Sequence, residues 1–341
     1  MDSIEIQLNK IRNMVAYKKN SLINPISSAL RDAIDIVNGR RISKSKPLSE
    51  PSYSAALAIE FPNLMNNRKK KLPNLTFGGC FIHQSPKVSF TIPSKNGKNN
   101  TVSCELGDVL FILRKRTMDD TRYNAALLQL KKTDKPSISI TGKAKRQLHL
   151  YENWPKFTLS SNGNDYDVYP KAVTQGALYG IILEWNPPQL FAAEPISKMG
   201  ISIDMTLGRF MRDAINWQTG RSISSMNDIK NTDNTNNANN ADSAGNTSNS
   251  NSEDSVNKNN IDEWSRLIWD LLEFSAKKPQ GFNVSETKYN QRNCFSGNYV
   301  DFINDELGID FGTPSDDGLN NMDVKAKEGF GILFIDIDER G

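Results

Sequence analysis

Apolar positions repeat in two different ways along this chain. Near the N-terminus, Ile4, Leu8, Ile11 and Val15 recur at helical spacing, which predicts one helix. Asn24-Pro25 is a start signal for a second, in which Ile26, Leu30, Ile34 and Val37 keep a similar spacing up to a stop at Gly39. A third, short helix is expected over Tyr53 to Glu60, after Pro51 and before Pro62. From Phe77 the runs shorten. CFIH, KVSFTI, VLFIL and AALLQL are apolar or alternating and are separated by Gly, Asn and charged turns, so they read as strands. Residues 143–153 read as a helix. The run ALYGIILEW within Val173 to Trp185 reads as another strand of the same sheet, and Ile203 to Trp217 as a helix with an irregular apolar face.

The pattern breaks over residues 226–262, where 13 of the 37 residues are Asn. No aromatic residue occurs between Trp217 and Trp264. Such a segment buries too little apolar surface to offset its ordering entropy, so a disordered linker or surface insertion is expected. Beyond it, IDEWSRLIWDLLEF predicts an amphipathic helix over Ile261 to Phe274, with Asp262 placed to cap its start. Gly331 to Ile337 reads as a buried strand, which implies that the C-terminal segment rejoins the main sheet. The expected organisation is an N-terminal helical region (1–62), a core (63–225), the Asn-rich linker (226–262) and a C-terminal helix and strand packing back on the core (263–341). This is one domain with an insertion.

A chain of 341 residues can bury a large core. Its hydrophobic content of 37% is low, partly because of the polar tract. Cys80, Cys104 and Cys294 have no Cys-x-x-Cys spacing, which argues against a disulfide framework, a zinc ribbon or an iron–sulfur cluster. The N-terminus has no apolar signal core, and no apolar run approaches membrane-spanning length. A soluble, cytoplasmic protein with no membrane partner is therefore expected. The net charge of +3 hides basic clusters at Arg68 to Lys71, Arg114 to Arg116, Lys131-Lys132 and Lys143 to Arg146. Each could be a solvated turn; together, flanking one motif, they suit a polyanion.

That motif runs from Cys104 to Tyr151. Two strands, Val109 to Leu113 and Ala125 to Lys131, are expected to pair antiparallel through a polar connection. Asp108 then enters the first strand where Lys131 leaves the second. Gln129 and Lys131 are two apart and share a face, while Leu128 and Leu130 point into the core. A carboxylate, an amide oxygen and an ammonium group at one strand end suit phosphodiester hydrolysis assisted by a hard divalent cation.

These residues resemble the PD-(D/E)XK nuclease superfamily, in which an acidic residue opens one strand and an acidic-x-Lys triplet lies on the next. Here Gln129-Leu130-Lys131 has Gln in the first position, as in Mrr-like restriction endonucleases. Gln147-Leu148-His149-Leu150-Tyr151 is similar to the Gln-x-x-x-Tyr motif of RecB-like nucleases. The resemblance covers roughly residues 77–155. It implies an α/β (α+β) fold of restriction-endonuclease type, a central mixed sheet flanked by helices. It also implies a Mg²⁺-dependent (or Mn²⁺-dependent) nuclease acting on DNA, with restriction or anti-phage defence as a setting in which a protein partner or a homo-oligomer has a place. In that reading Asp108 is the primary metal ligand, with Glu105 and Gln129 accessory. Glu60 is the acidic residue of the first core helix, and Lys131 positions the attacking water. Gln147 and Tyr151 line the site or the DNA path, and Lys132, Lys143, Lys145 and Arg146 contact nucleic acid. The alternative is a non-catalytic protein of the same fold that binds nucleic acid or a partner protein.

No Gly-x-Ser-x-Gly elbow, phosphate-binding Walker loop or dinucleotide fingerprint occurs. His83 and His149, the only histidines, read as structural residues.

Overall fold

The computed structural model describes residues 23–39, 48–68, 72–93, 99–135, 137–169, 171, 176–184, 188–193, 201–202, 205–229, 262–276, 294–309 and 329–340. The helix expected over Ile4 to Val15 lies outside them, as does most of the Asn-rich tract. The first described helix, α1 (Ile23–Gly39), buries Ile26, Leu30, Ile34 and Val37, the face set by their spacing.

The next helical stretch departs from the expected short helix. It begins as α2 (Glu50–Ala55), widens into a π-helical turn (Ala56–Glu60) and continues as α3 (Phe61–Asn66). Pro62 does not end it. A proline in the first turn of a helical segment needs no N–H of its own. The N–H of Phe61 reaches back to the Ala56 carbonyl. From outside the helix, Ser296 Oγ donates to the Ala58 carbonyl at 2.8 Å.

Five strands follow: β1 (Leu75–Ile82), β2 (Lys87–Pro93), β3 (Asn99–Glu105), β4 (Val109–Arg116) and β5 (Thr121–Thr133). After β6 (Ser137–Ile138) come α4 (Ala144–Asn153), β7 (Phe157–Leu159), β8 (Asp165–Tyr166), β9 (Ala177–Leu183), β10 (Gln189–Ala193), β11 (Ile201–Ser202), β12 (Met205–Thr206) and α5 (Leu207–Ile215). The chain closes with β13 (Arg221–Ile223), α6 (Glu263–Ala276), β14 (Cys294–Gly297), α7 (Tyr299–Leu307) and β15 (Phe330–Asp338). The helix expected from Ile203 starts later, because Met205 pairs with β10 and Thr206 Oγ1 caps the Arg209 amide at 3.2 Å. Residues 226–229, assigned to the polar tract, form a helical turn that buries Ile229. Asp262 does cap α6: its Oδ1 accepts from the Trp264 amide at 3.3 Å.

The fold is mixed α/β, with a large mixed sheet flanked by helices. Its strand order is β12-β10-β9-β5-β4-β15-β1-β14, and β13 pairs with β5. KVSFTI is not part of it; that strand, β2, joins β3, β7 and β8 in a second sheet. The central strands β4, β5, β9 and β15 are almost continuously buried, as expected for strands covered on both faces. One face carries Val109, Phe111, Leu128 and Leu130 against α1 and α5. The other carries Leu110, Leu127, Tyr179 and Phe334 against α4, α6, α7 and the second sheet.

β15 does more than rejoin the sheet. It lies between β1 and β4, antiparallel to the first and parallel to the second. On its other side, β1 approaches the π turn so closely that a Cβ on Gly79 would collide with the carbonyl oxygens of Ala58 and Ile332. Gly79→Ala is therefore expected to destabilise the fold by at least about 1–3 kcal/mol, read from the urea midpoint.

Candidate active site

β4 and β5 pair antiparallel with Val109 opposite Leu128, so Asp108 enters its strand beside Gln129. The Asp108 amide donates to the Leu128 carbonyl at 2.9 Å, which extends the ladder to the strand entrance. Leu128 and Leu130 face α1 and α5, and Gln129 takes the opposite face, as the two-residue alternation requires.

The Asp108 carboxyl is 4% exposed, and both of its donors converge on one oxygen. Oδ2 accepts from the Leu130 amide at 2.6 Å and from Gln129 Nε2. Gln129 is fully buried, and its Oε1 accepts from Gln147 Nε2 at 2.7 Å. A chain of two amides thus runs from α4 to the carboxylate. Tyr151, one turn further along α4, donates to the Leu106 carbonyl at 2.7 Å. Gln147 and Tyr151 are both buried, so they brace the site from inside and offer nucleic acid no surface.

Burial pushes the Asp108 pKa up to about 8. The Lys131 charge opposes that rise, Glu50 and Glu105 add to it, and the Leu130 amide opposes it. The carboxyl sits where an ion is poorly solvated, near one cation and two anions.

Lys131 places Nζ 3.5 Å from Glu50 Oε2, and Glu50 Oε1 accepts from the Lys132 amide at 3.3 Å. Sequence reasoning missed Glu50 and chose Glu60. Glu60 is buried on the π turn. Ten helical residues separate the two, roughly 15 Å. The available signal was Ser49-Glu50-Pro51, an acidic residue and a proline in the first turn of a helix, where the N–H groups favour negative charge. Glu105 ends β3, half-buried, and acts on Asp108 through its charge.

The basic clusters divide. Lys143 and Lys145 are exposed at the start of α4, and Arg146 donates to the Ser103 carbonyl at 3.4 Å. Lys132 Nζ is engaged by the Leu48 carbonyl at 2.6 Å and by Glu184 at 2.7 Å. Arg114 to Arg116 is not a phosphate patch: Arg114 is buried against Asp336, Arg116 also pairs with Asp336, and Lys115 pairs with Glu339. Its side chains compensate carboxylates of the C-terminal strand. Arg68 pairs with Asp32, and Lys69 to Lys71 lie outside the described residues. His83 packs edge-on against Phe81 and His149 stacks on Phe90.

Among the described residues, no group of three or more His, Cys, Asp or Glu side chains could hold a metal ion. Mg²⁺ does not require such a cage, since it keeps several waters and binds through one or two carboxylates plus substrate phosphate. Asp108 fits that habit, because no hydrogen bond from the described residues reaches its Oδ1. Glu50 and Glu105 are near enough to add charge.

No family model, curated protein or solved structure matches the chain. Among the described residues, no helix is long and apolar enough to cross a membrane.

Proposed function

We propose that this protein is a metal-dependent nuclease that hydrolyses phosphodiester bonds, with DNA as the favoured substrate and restriction or anti-phage defence as its setting. The observation that carries the reading is the meeting of Asp108, Gln129 and Lys131 at one end of the β4–β5 pair, backed by Gln147 and faced by Glu50.

Asp108 Oδ1 would hold Mg²⁺ or Mn²⁺, with Glu50 or Glu105 as the second carboxylate. Such a cation makes bound water a better nucleophile and neutralises charge on the attacked phosphate. Asp108 must first release the proton that burial favours. Lys131, half-buried and held by one long ion pair, is free to turn its ammonium toward a phosphate oxygen or the attacking water. Gln129 supports Asp108 with its nitrogen rather than offering its oxygen. Turning that amide over would set its NH₂ against that of Gln147, so both would have to flip together.

Purified protein with Mg²⁺ or Mn²⁺ is expected to nick or degrade DNA. Lys131→Ala should slow it by roughly 10²–10³-fold, the scale for losing one preorganised electrostatic group. Wild type and Lys131→Ala giving the same background cleavage would sink the enzyme reading. A second reading, a non-catalytic protein that binds nucleic acid or a protein partner, is favoured by the nitrogen that Gln129 presents to Asp108. It predicts DNA retention with no cation-dependent cutting.

A further inference from the structure

Tyr179 belongs to the same site, although neither the motif nor its spacing pointed to it. In the parallel pairing of β5 and β9 it is the register partner of Gln129, so both side chains lie on the face covered by α4. Its ring is 5.7 Å from that of Tyr151. The two tyrosines differ in one respect. The Tyr151 hydroxyl has a partner, the Leu106 carbonyl. The Tyr179 hydroxyl is buried and has no hydrogen bond among the described residues, on a side chain that is 0% exposed.

Leaving a buried hydroxyl without a partner costs about 1–3 kcal/mol, and native interiors rarely tolerate it. The groups whose charges act on it, Glu152, Cys104 and Asp108, would each be negative when ionised, and with burial they hold the phenol proton on. The hydroxyl thus keeps its proton and is available as a donor. A phenol beside a buried amide chain is suited to a single internal water, which needs two to four polar partners.

We propose that Tyr179 is a positioning residue of the Asp108 site: its hydroxyl holds an internal water that ties β9 to the Gln147–Gln129–Asp108 chain and keeps the Gln129 amide aimed at the carboxylate. The role rests on the nuclease reading. It assigns β9, outside the strand pair that carries the motif, a part in orienting the reacting groups.

Tyr179→Phe tests it, since the change removes only the hydroxyl. The variant and wild type would be compared in Mg²⁺-dependent DNA cleavage and thermal unfolding. Water-selective NMR of the wild type would look for a long-lived water at the Tyr179 ring. The expected result is a water signal in the wild type, and in the variant a roughly tenfold lower kcat, KM within about twofold, and Tm within a few degrees. Absence of the water signal overturns the proposal. So does a variant with wild-type kcat, because the hydroxyl is then idle. So does a drop in Tm with unchanged kcat, because the hydroxyl then serves only the packing. If the wild type itself leaves DNA uncut, the nuclease reading fails and this role fails with it, a result distinct from failure of the variant comparison alone.

Discussion

Asp108→Asn is expected to stabilise the protein at neutral and mildly alkaline pH while removing DNA cleavage. The stability effect follows from the raised pKa of Asp108, about 8, set by its burial. In the unfolded chain the same group titrates near 3.9. Below about pH 4 it is protonated in both states and contributes nothing to the pH dependence. Between about pH 4 and 8 the unfolded chain releases the proton and the folded protein keeps it, so stability falls as pH rises. Above about 8 the loss is complete, with an upper bound of roughly 6 kcal/mol. Asparagine mimics the protonated acid here. Its carbonyl oxygen can take both donors that now converge on Oδ2, from Leu130 and Gln129, and its NH₂ takes the unbonded Oδ1 position. Urea midpoints for wild type and variant should therefore differ least below about pH 4 and separate in the variant's favour by pH 8. Parallel curves would show that Asp108 is not the buried titrating group described here.

The same substitution is expected to reduce cleavage by roughly 10²–10³-fold or more, since it removes the carboxylate that the proposed site would use as its first cation ligand. Cation binding has to displace the Asp108 proton, so the apparent affinity for Mg²⁺ should rise about tenfold per pH unit up to about pH 8 and then level off. Saturating Mg²⁺ at a hundred times Kd would stabilise wild type by about 2.7 kcal/mol and leave Asp108→Asn unchanged. Equal protection of both proteins would place the cation elsewhere.

Asp336→Ala should be among the most damaging single substitutions in the fold, at about 3–5 kcal/mol. Asp336 on β15 and Arg114 on β4 are register partners in the parallel pair, 3% and 5% exposed. Arg114 donates from Nε to Asp336 Oδ1 at 3.1 Å and from Nη2 to Oδ2 at 3.2 Å. Glu306 of α7 takes Arg114 Nη1 at 3.0 Å and the Tyr123 hydroxyl at 2.8 Å. The guanidinium also lies over the rings of Phe302 and Phe334. Removing Asp336 takes away the bidentate partner of the buried Arg114, leaves it only Glu306 and Asp305 of α7 on Nη1, and removes a partner of Arg116 as well. Replacing both members of the pair, as in Arg114→Met with Asp336→Leu, should recover part of the loss, because much of the penalty lies in the buried guanidinium groups left without hydrogen-bond acceptors. Urea denaturation of the single and double variants separates these outcomes.

Much of the site was legible because strand alternation is rigid. A period of two puts Leu128 and Leu130 on one face and Gln129 on the other, and antiparallel pairing brings the entrance of β4 to the far end of β5. Two features lay beyond the reach of local pattern. Arg114 to Arg116 looked like a basic surface because the carboxylate that neutralises most of it lies more than 200 residues further along the chain. Glu60 looked like the helical acid because Pro62 was read as the end of a helix that in fact runs on from Glu50 to Asn66.

Local periodicity settles most of the helices and strands and the face each turns inward, because apolar side chains must leave water along a regular backbone, but not that a helix runs on past Pro62 or where α5 starts. It also puts Gln129 and Lys131 on one face of one strand. Only the tertiary arrangement decides what those groups do to one another. Packing closes water out around Asp108 and so raises its pKa, α4 turns the Gln129 nitrogen toward it, α2 brings Glu50 to Lys131, and β9 sets Tyr179 in register with Gln129. Burial and charge proximity are properties of the assembled interior, and no short stretch of sequence contains them.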